Sequence, residues 1–238
     1  MNGPHDLGGR GDFGAVASGA SDARAPRFHA DWERRALGVT LACGALGHWT
    51  LDESRHARER LPPATYHGSS YYRIWIEALE RLLVRHGEVS PEELADGLAR
   101  EPGRRADRRL EAARVPAALA AGAPTQRSLD ARPRFAVGDP VRTVNDHVRG
   151  HTRLPGYARD KPGTIEAVHA PHVLPDASAA GLGERPEWLY TVAFDGAVLW
   201  GAGTEPGLVV TLEAWESYLS GVPAAPEASP GSAAQVPP

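Results

Sequence analysis

The residues best suited to chemistry lie between Gly150 and Asp176, in the stretch GHTRLPGYARDKPGTIEAVHAPHVLPD. His151, Arg153, Tyr157, Arg159 and Lys161 crowd its start. A Pro162-Gly163 turn, a short apolar alternation and a His-rich loop follow. An arginine guanidinium is a rigid planar fork of donors that matches a pair of oxygens. The block therefore reads as a seat for an oxyanion, with Arg153 or Arg159 as the residue that holds it.

Other chemistries find less support. His169, His172 and Asp176 offer metal-ligand atoms, but their spacing is loose and no helix sets them on one face. They read as loop histidines bonded to backbone. There is no Gly-x-Ser-x-Gly elbow and no cysteine beside a base. Ser54, Ser69 and Ser70 have His56 and His67 near them in sequence only. No glycine-rich phosphate loop stands between a strand and a helix, and no Walker lysine is present. Gly201-Ala202-Gly203 follows a strand without opening a helix. Arg55 is a second candidate arginine, placed mid-helix. A lone surface arginine ordinarily makes an ion pair worth little.

The whole chain sets the bounds. It has 238 residues, 42% of them hydrophobic, enough for one large domain or two small ones. A formal charge of -4 argues against general affinity for nucleic acid or a membrane surface. No apolar run is long enough to span a bilayer, and the start MNGPHDLGG lacks the regions of a secretion signal. A cytoplasmic location is the expectation. Cys43 is the single cysteine, set in the apolar run Val39, Leu41, Ala42, Cys43, Leu46, and reads as a buried inert thiol. One cysteine allows neither an intramolecular disulfide nor a metal site of several thiolates from this chain. Lys161 is the only lysine, so nearly all the positive charge is guanidinium.

The elements that must position these residues fall into two kinds. Residues 1–28 are rich in Gly, Ala, Ser and Asp, with Leu7, Phe13 and Val16 as isolated apolar points. They read as an extended arm. Asp31 is placed to cap a helix burying Trp32, Ala36, Val39, Cys43 and Leu46. Thr50 and Glu53 fit a capping box for a helix from Leu51 to Leu61 that is polar nearly all round, and Pro62-Pro63 ends it. A helix of that kind is solvated, laced by ion pairs or pressed on a polar partner. Tyr71 to His86 is the strongest helix, with Tyr72, Trp75, Ile76, Leu79, Leu82 and Leu83 on one face. Ser90-Pro91-Glu92-Glu93 opens another. Residues 101–132 read as a linker with an Ala-rich helical tendency at 106–121.

From residue 133 the apolar period changes from 3.6 to 2. Strands are expected near Val141, at Thr164 to Val168 and from Trp188 to Phe194. An Asp195-Gly196 turn should then return a strand at Val198 to Trp200. A last strand follows at Leu208 to Leu212, with a short closing helix at Trp215 to Leu219. The expected fold class is α+β: an extended arm at 1–28, a helical domain at 29–100, a linker at 101–132, an SH3-like antiparallel β-barrel or roll at 133–221 and a disordered Pro/Ala-rich tail at 222–238.

Read in order, many blocks of this chain resemble the β subunit of nitrile hydratase. They are Met1-Asn2-Gly3-Pro4-His5-Asp6-Leu7-Gly8-Gly9, Phe28-His29-Ala30-Asp31-Trp32-Glu33, Arg55-His56-Ala57 with Glu59-Arg60, and Tyr71-Tyr72-Arg73-Ile74-Trp75. Gly138 to Arg142, Gly150 to Pro155, His172 to Asp176, Leu189 to Val192 and Trp215 to Leu219 continue the match, which covers roughly residues 1–219. The resemblance implies an enzyme that hydrates nitriles to amides, a hydro-lyase assembled as αβ or α2β2. It implies no cofactor on this chain and a Co(III) or Fe(III) ion in the partner α subunit, among cysteines of which two are oxidised. It implies that the arm wraps the partner and that Arg55 and Arg153 hydrogen-bond to the oxidised cysteines. Leu51, Tyr71, Tyr72 and Trp75 are the implied substrate-binding residues. A thiocyanate hydrolase-type subunit, or a non-catalytic assembly or metal-delivery protein, is the alternative. Asp160 and Ala170 stand where family members often carry glycine. Ser54 is small where some relatives are apolar, which implies room for bulkier nitriles if that position lines the pocket.

Overall fold

A computed structural model describes residues 2–9, 26–103 and 105–222. The arm's apolar points Phe13 and Val16, and the tail beyond Val222, lie outside the described residues. The chain is α+β. Helix α1 (Asp31–Leu46) leads to α2 (Leu51–Glu59), α3 (Pro63–Gly68), α4 (Tyr71–Arg85) and α5 (Pro91–Asp96). Helix α6 (Val115–Ala121) follows in the linker region. Strands β1 (Pro140–Thr143) and β2 (Pro162–His172), helix α7 (Pro175–Ala179), β3 (Glu187–Asp195), helix α8 (Gly196–Trp200), β4 (Val209–Trp215) and β5 (Leu219–Gly221) complete it.

Local chemistry explains most starts and stops. Ser90 and Glu93 exchange side-chain and backbone bonds in a full capping box at α5. At α2 only half of the expected box forms. Thr50 accepts from the Glu53 amide, but the Glu53 carboxylate turns to His86, 2.9 Å away. The Asp31 cap is not made: the helix starts at Asp31, and Ala30 precedes it without a side-chain bond. The expected face of α1 is also not buried. Ala36 and Glu33 are inside, whereas Trp32 and Val39 stay exposed. Cys43 is only partly covered. Helix α4 buries Ala78, Leu79 and Leu82 as its pattern demands, and Ala57 of α2 packs into the same small core beside Trp49.

The five strands form one antiparallel sheet in the order β4-β3-β2-β1-β5. Pro140 pairs with Thr164, Val141 with Gly221, and Tyr190 with Ala214. The sheet is open, with β4 and β5 at its edges, so the closed-barrel form is not the one found. Register shifts between Ile165 and Ala167 and between Val168 and Pro171 bend β2, which lets the sheet curl over its core without closing. That core is Phe135, Val141, Leu154, Ile165, Tyr190, Val192, Phe194, Leu199 and Tyr218. Gly163 is required on β2, since a Cβ there would lie 2.7 Å from Val192 Cγ1 and 2.9 Å from the Ala193 carbonyl oxygen.

Two end-of-chain readings are corrected. Val198 to Trp200 is not a returning strand: the Asp195 carboxylate accepts from the Ala197 amide at 2.7 Å and caps α8 instead of turning a hairpin. The closing helix shrinks to a 3₁₀ turn at Glu216–Tyr218, after which Leu219–Gly221 adds to β1 as the fifth strand. The linker is also partly structural. Gln126 bridges to His172, and Arg127 clamps Glu184 with two bonds of 2.6 Å.

Asp160 has φ 53°, in the left-handed region. This accounts for a glycine-compatible position just before β2, and aspartate is among the few side chains that tolerate it. Its carbonyl accepts from Arg142 at 2.7 Å, which secures the turn. Replacing Asp160 by valine should cost about 1–2 kcal/mol, while asparagine should cost under about 0.5 kcal/mol. Chemical denaturation of the two variants checks this, and equal stabilities would remove the backbone explanation.

Candidate functional site

Helix α2 carries the charged residues, and everything around the site is arranged on it. Asp52 and Arg55 lie three residues apart, and Arg55 Nη1 is 2.9 Å from Asp52 Oδ1. Asp52 is buried and Arg55 is 42% exposed. The carboxylate thus holds the inner edge of the guanidinium while the rest faces out. Glu59 lies one turn further on the same face. Its Oε1 is 3.6 Å from Arg153 Nη1, and its Oε2 is 2.8 Å from His151 Nδ1. His5, from the described start of the arm, is 3.7 Å from the same oxygen. Arg153 is 40% exposed, much as Arg55 is. The Glu59 carboxylate therefore brings Arg153 to the end of α2 from 94 positions further along the sequence.

The loop bearing Arg153 is held from below. Leu154 enters the sheet core, which leaves Arg153 on the outer side. The Arg153 amide donates to the Tyr218 hydroxyl at 3.1 Å, and that hydroxyl donates to Asp176 of α7. Burial drives both groups up: the Asp176 carboxyl titrates above its usual range, and the Tyr218 phenol does so strongly. Thr50 at the start of α2 donates to the Ser178 carbonyl of α7 at 3.1 Å. Helix α7 is thus the plate on which α2 and the Arg153 loop are both fastened.

Arg159, the rival of Arg153, is spent elsewhere. It is buried, donates to Asn2 Oδ1 at 2.6 Å and meets His147 at 3.0 Å. Asp6 accepts from the Gly156 amide at 2.7 Å. Residues 2–9 therefore lie over the chain's own loop and α2. Where the arm goes beyond them lies outside the described residues.

The His-rich loop is not a metal claw. His169 and His172 sit on β2, bonded to Thr191 at 2.7 Å and Thr125 at 2.9 Å, and Asp176 belongs to Tyr218. The expected bonds to backbone are bonds to hydroxyl side chains. His56, Glu59 and His151 do bring donor atoms within 4.8 Å of one another, the spacing a metal could use. Pattern reading missed this group because its members are far apart in sequence. Glu59 already serves His151 through a hydrogen bond and Arg153 through an ion pair. Burial pushes the Glu59 carboxyl up, but the His151 bond and the charges of His151, His5 and Arg153 outweigh it and hold the group below its usual value.

Of the expected substrate residues, three form one cluster. Tyr71, Tyr72 and Trp75 are in mutual ring contact, with centroids 5.2 to 6.1 Å apart, and Tyr72 stacks on Phe28 at 5.3 Å. Tyr71 is largely exposed, and none of the three is buried in the helical core. Leu51 is brought to a different place. It borders an open cleft of about 370 Å³ with Asp52, Pro124, Arg127, Val173 and Glu184. Ser54 is buried, and its hydroxyl accepts from Arg58 Nη2 at 3.1 Å. Arg58 lies against this small residue.

The comparisons fit this geometry. The family model for the nitrile hydratase beta subunit, N-terminal, matches residues 1–131, and that for the C-terminal part matches residues 124–221. The chain belongs to the nitrile hydratase β-subunit family. A nitrile hydratase subunit beta of Rhodococcus sp is 38% identical over 229 residues, covering 92% of this chain and 96% of the relative. The cobalt-containing nitrile hydratase subunit beta of Pseudonocardia thermophila is 36% identical over 226 residues, with the same coverage of 92% and 96%. A solved thiocyanate hydrolase chain from Thiobacillus thioparus shows 28% identity over 38% of this chain and 78% of its own length. Its TM-score of 0.36 supports no argument about activity. Among the described residues, no helix is long and apolar enough to cross a membrane.

His5 and His56 titrate below the usual imidazole value of 6.5, chiefly because burial disfavours their charged forms. The unfolded chain then binds more protons than the folded one just below that value, so stability rises with pH there. Their contribution is complete above pH 6.5 and is lost as the pH falls below it. Chemical denaturation of wild type between about pH 5 and 7 should show this acid slope. His56→Gln should flatten it, and an unchanged slope would assign the acid sensitivity elsewhere.

Proposed function

We propose that this chain is the β subunit of a nitrile hydratase, a hydro-lyase that adds water across R–C≡N to give the amide. The partner is an α subunit carrying Co(III) or Fe(III) among oxidised cysteines, in an αβ or α2β2 assembly working in the cytoplasm. The observation that supports the reading is that Arg55 and Arg153 are both half-exposed, and each has a carboxylate of α2 beside it, Asp52 at 2.9 Å and Glu59 at 3.6 Å. Membership of the nitrile hydratase β-subunit family supplies the reaction. The names of two relatives mention cobalt, which supports a metal-dependent partner.

The fit to the partner's oxyanions is chemical. Sulfenate and sulfinate oxygens are anionic acceptors, and a guanidinium offers them charge-assisted bonds in a fixed plane. The metal, when bound in the partner, supplies Lewis acidity toward water and nitrile. Arg55 and Arg153 orient the oxygens around it. Asp52 and Glu59 stop the guanidiniums from turning. His151 fixes the Glu59 carboxylate, and the Tyr218–Asp176 pair fixes the Arg153 backbone. Tyr71, Tyr72 and Trp75 offer an apolar wall to the organic part of the nitrile.

Arg55→Lys and Arg153→Lys keep the charge and lose the fork. In the assembled enzyme each should lower turnover by about 10–100-fold, the usual cost of losing a group that orients metal ligands. The complex should still elute as one species. Wild-type amide formation by either variant would refute the assigned role.

A further inference from the structure

His5, His56, Glu59 and His151 line one small cavity between residues 2–9, the last turn of α2 and the loop before β2. Its volume is about 10 Å³, room for one water molecule or one ion. His56, Glu59 and His151 each bring a donor atom within 4.8 Å of the other two. Glu59 Oε2 lies 2.8 Å from His151 Nδ1 and 3.7 Å from His5 Nε2. Arg153 sits on the other oxygen, Oε1, at 3.6 Å. Oε2 is therefore the oxygen left to the imidazoles.

The chain alone does not satisfy these rings. Both ring nitrogens of His5 are buried with no hydrogen-bond partner among the described residues, and so is Nε2 of His151. The His151 side chain is fully enclosed. A neutral imidazole carries an N–H on one nitrogen and a lone pair on the other, so neither need of His5 is met. A buried polar atom left without a partner is costly. Burial keeps His5 and His56 in the neutral form that can ligate, and Glu59 is held ionised. Three imidazole nitrogens and one carboxylate oxygen are the donor types and the donor number of a tetrahedral zinc site.

We propose that His5, His56, Glu59 and His151 form a binding site for one divalent transition-metal ion of the zinc class on this chain. The ion takes the place of the proton that His151 Nδ1 shares with Glu59, and that proton leaves to solvent. His56 and His5 complete the set. The ion then ties residues 2–9, α2 and the loop before β2 to one point. Arg60 also borders the cavity, and its charge weakens the site, so the ion exchanges with the medium. The site uses residues of this chain only and does not depend on which substrate the assembled enzyme takes.

The test equilibrates the full-length chain, purified with its partner and treated with chelator, against zinc chloride. Elemental analysis counts zinc per complex and counts the partner's cobalt or iron separately. Wild type should hold one zinc for each copy of this chain, and its Tm should rise with zinc, because an ion that binds only the folded state stabilises it. His56→Gln and His5→Gln should each weaken zinc binding by at least about tenfold, since even residues behind the ligands of a metal site cost that much. An unchanged cobalt or iron content shows that the variants still assemble. X-ray absorption at the zinc edge needs no variant: imidazole nitrogen and carboxylate oxygen at about 2.0–2.2 Å are expected. Sulfur at about 2.3 Å would place the zinc among the partner's cysteines and overturn the inference. Absence of bound zinc in wild type overturns it as well, and so does equal zinc affinity in wild type and both variants.

Discussion

The Glu59 carboxylate is the interaction on which the rest of the site depends. It sits at the last turn of α2, largely out of water, where an unpaired charge would cost several kcal/mol. Three residues from two segments far apart in sequence surround it: His5 from the arm, and His151 and Arg153 from the loop before β2. The helical part and the sheet part also meet where Thr50 of α2 donates to the Ser178 carbonyl of α7. Satisfying this acid ties the two halves together at the end of α2 and fixes Arg153 beside it.

This also explains why α2 is polar where a helix of a folded unit is ordinarily striped. Its apolar contribution is small, with Ala57 packed on Ala78 and Leu82. Its remaining faces are assigned to partners: Asp52 to Arg55, Ser54 to Arg58, Glu59 to the loop, and Thr50 to α7. Exposed ion pairs add little to stability. What the pair with Asp52 provides is orientation, since it fixes one edge of the Arg55 guanidinium.

Much of this was readable in the sequence, for physical reasons that can be named. The change of period at residue 133 separates helices from strands because burying one face of each element demands it. The capping box of α5 is local and forms as its residues dictate, and the stripe of α4 buries Leu79 and Leu82 while Tyr72, Trp75, Ile76 and Leu83 are only partly covered. The arginines Arg55 and Arg153 come from motif blocks that resemble a family, and each has a carboxylate of α2 within 4 Å. What escaped reading is non-local or competes locally. Asp195-Gly196 suits both a hairpin turn and a helix cap, and the helix won. The stripe of α1 looks like a buried face yet leaves Trp32 and Val39 uncovered. The strand β5 has three residues and depends wholly on β1. The Glu59 network joins residues 92 positions apart, and the stack of Arg58 on Trp75 joins two helices, so neither leaves a periodic trace.

The tie between Asn2 and Arg159 closes a loop of 157 residues, and that between Asp6 and Gly156 closes one of 150. Contacts of such separation demand that chain entropy be surrendered before they return anything. Both need the 147–159 loop in place, and that loop needs the sheet core around Leu154. The strap of residues 2–9 therefore docks only on a loop that the sheet part has already placed. His5 reaches Glu59 only with that docking. The β subunit thus closes its own site with its first residues, and a partner meeting the chain before they dock would find Glu59 lacking one of its neighbours.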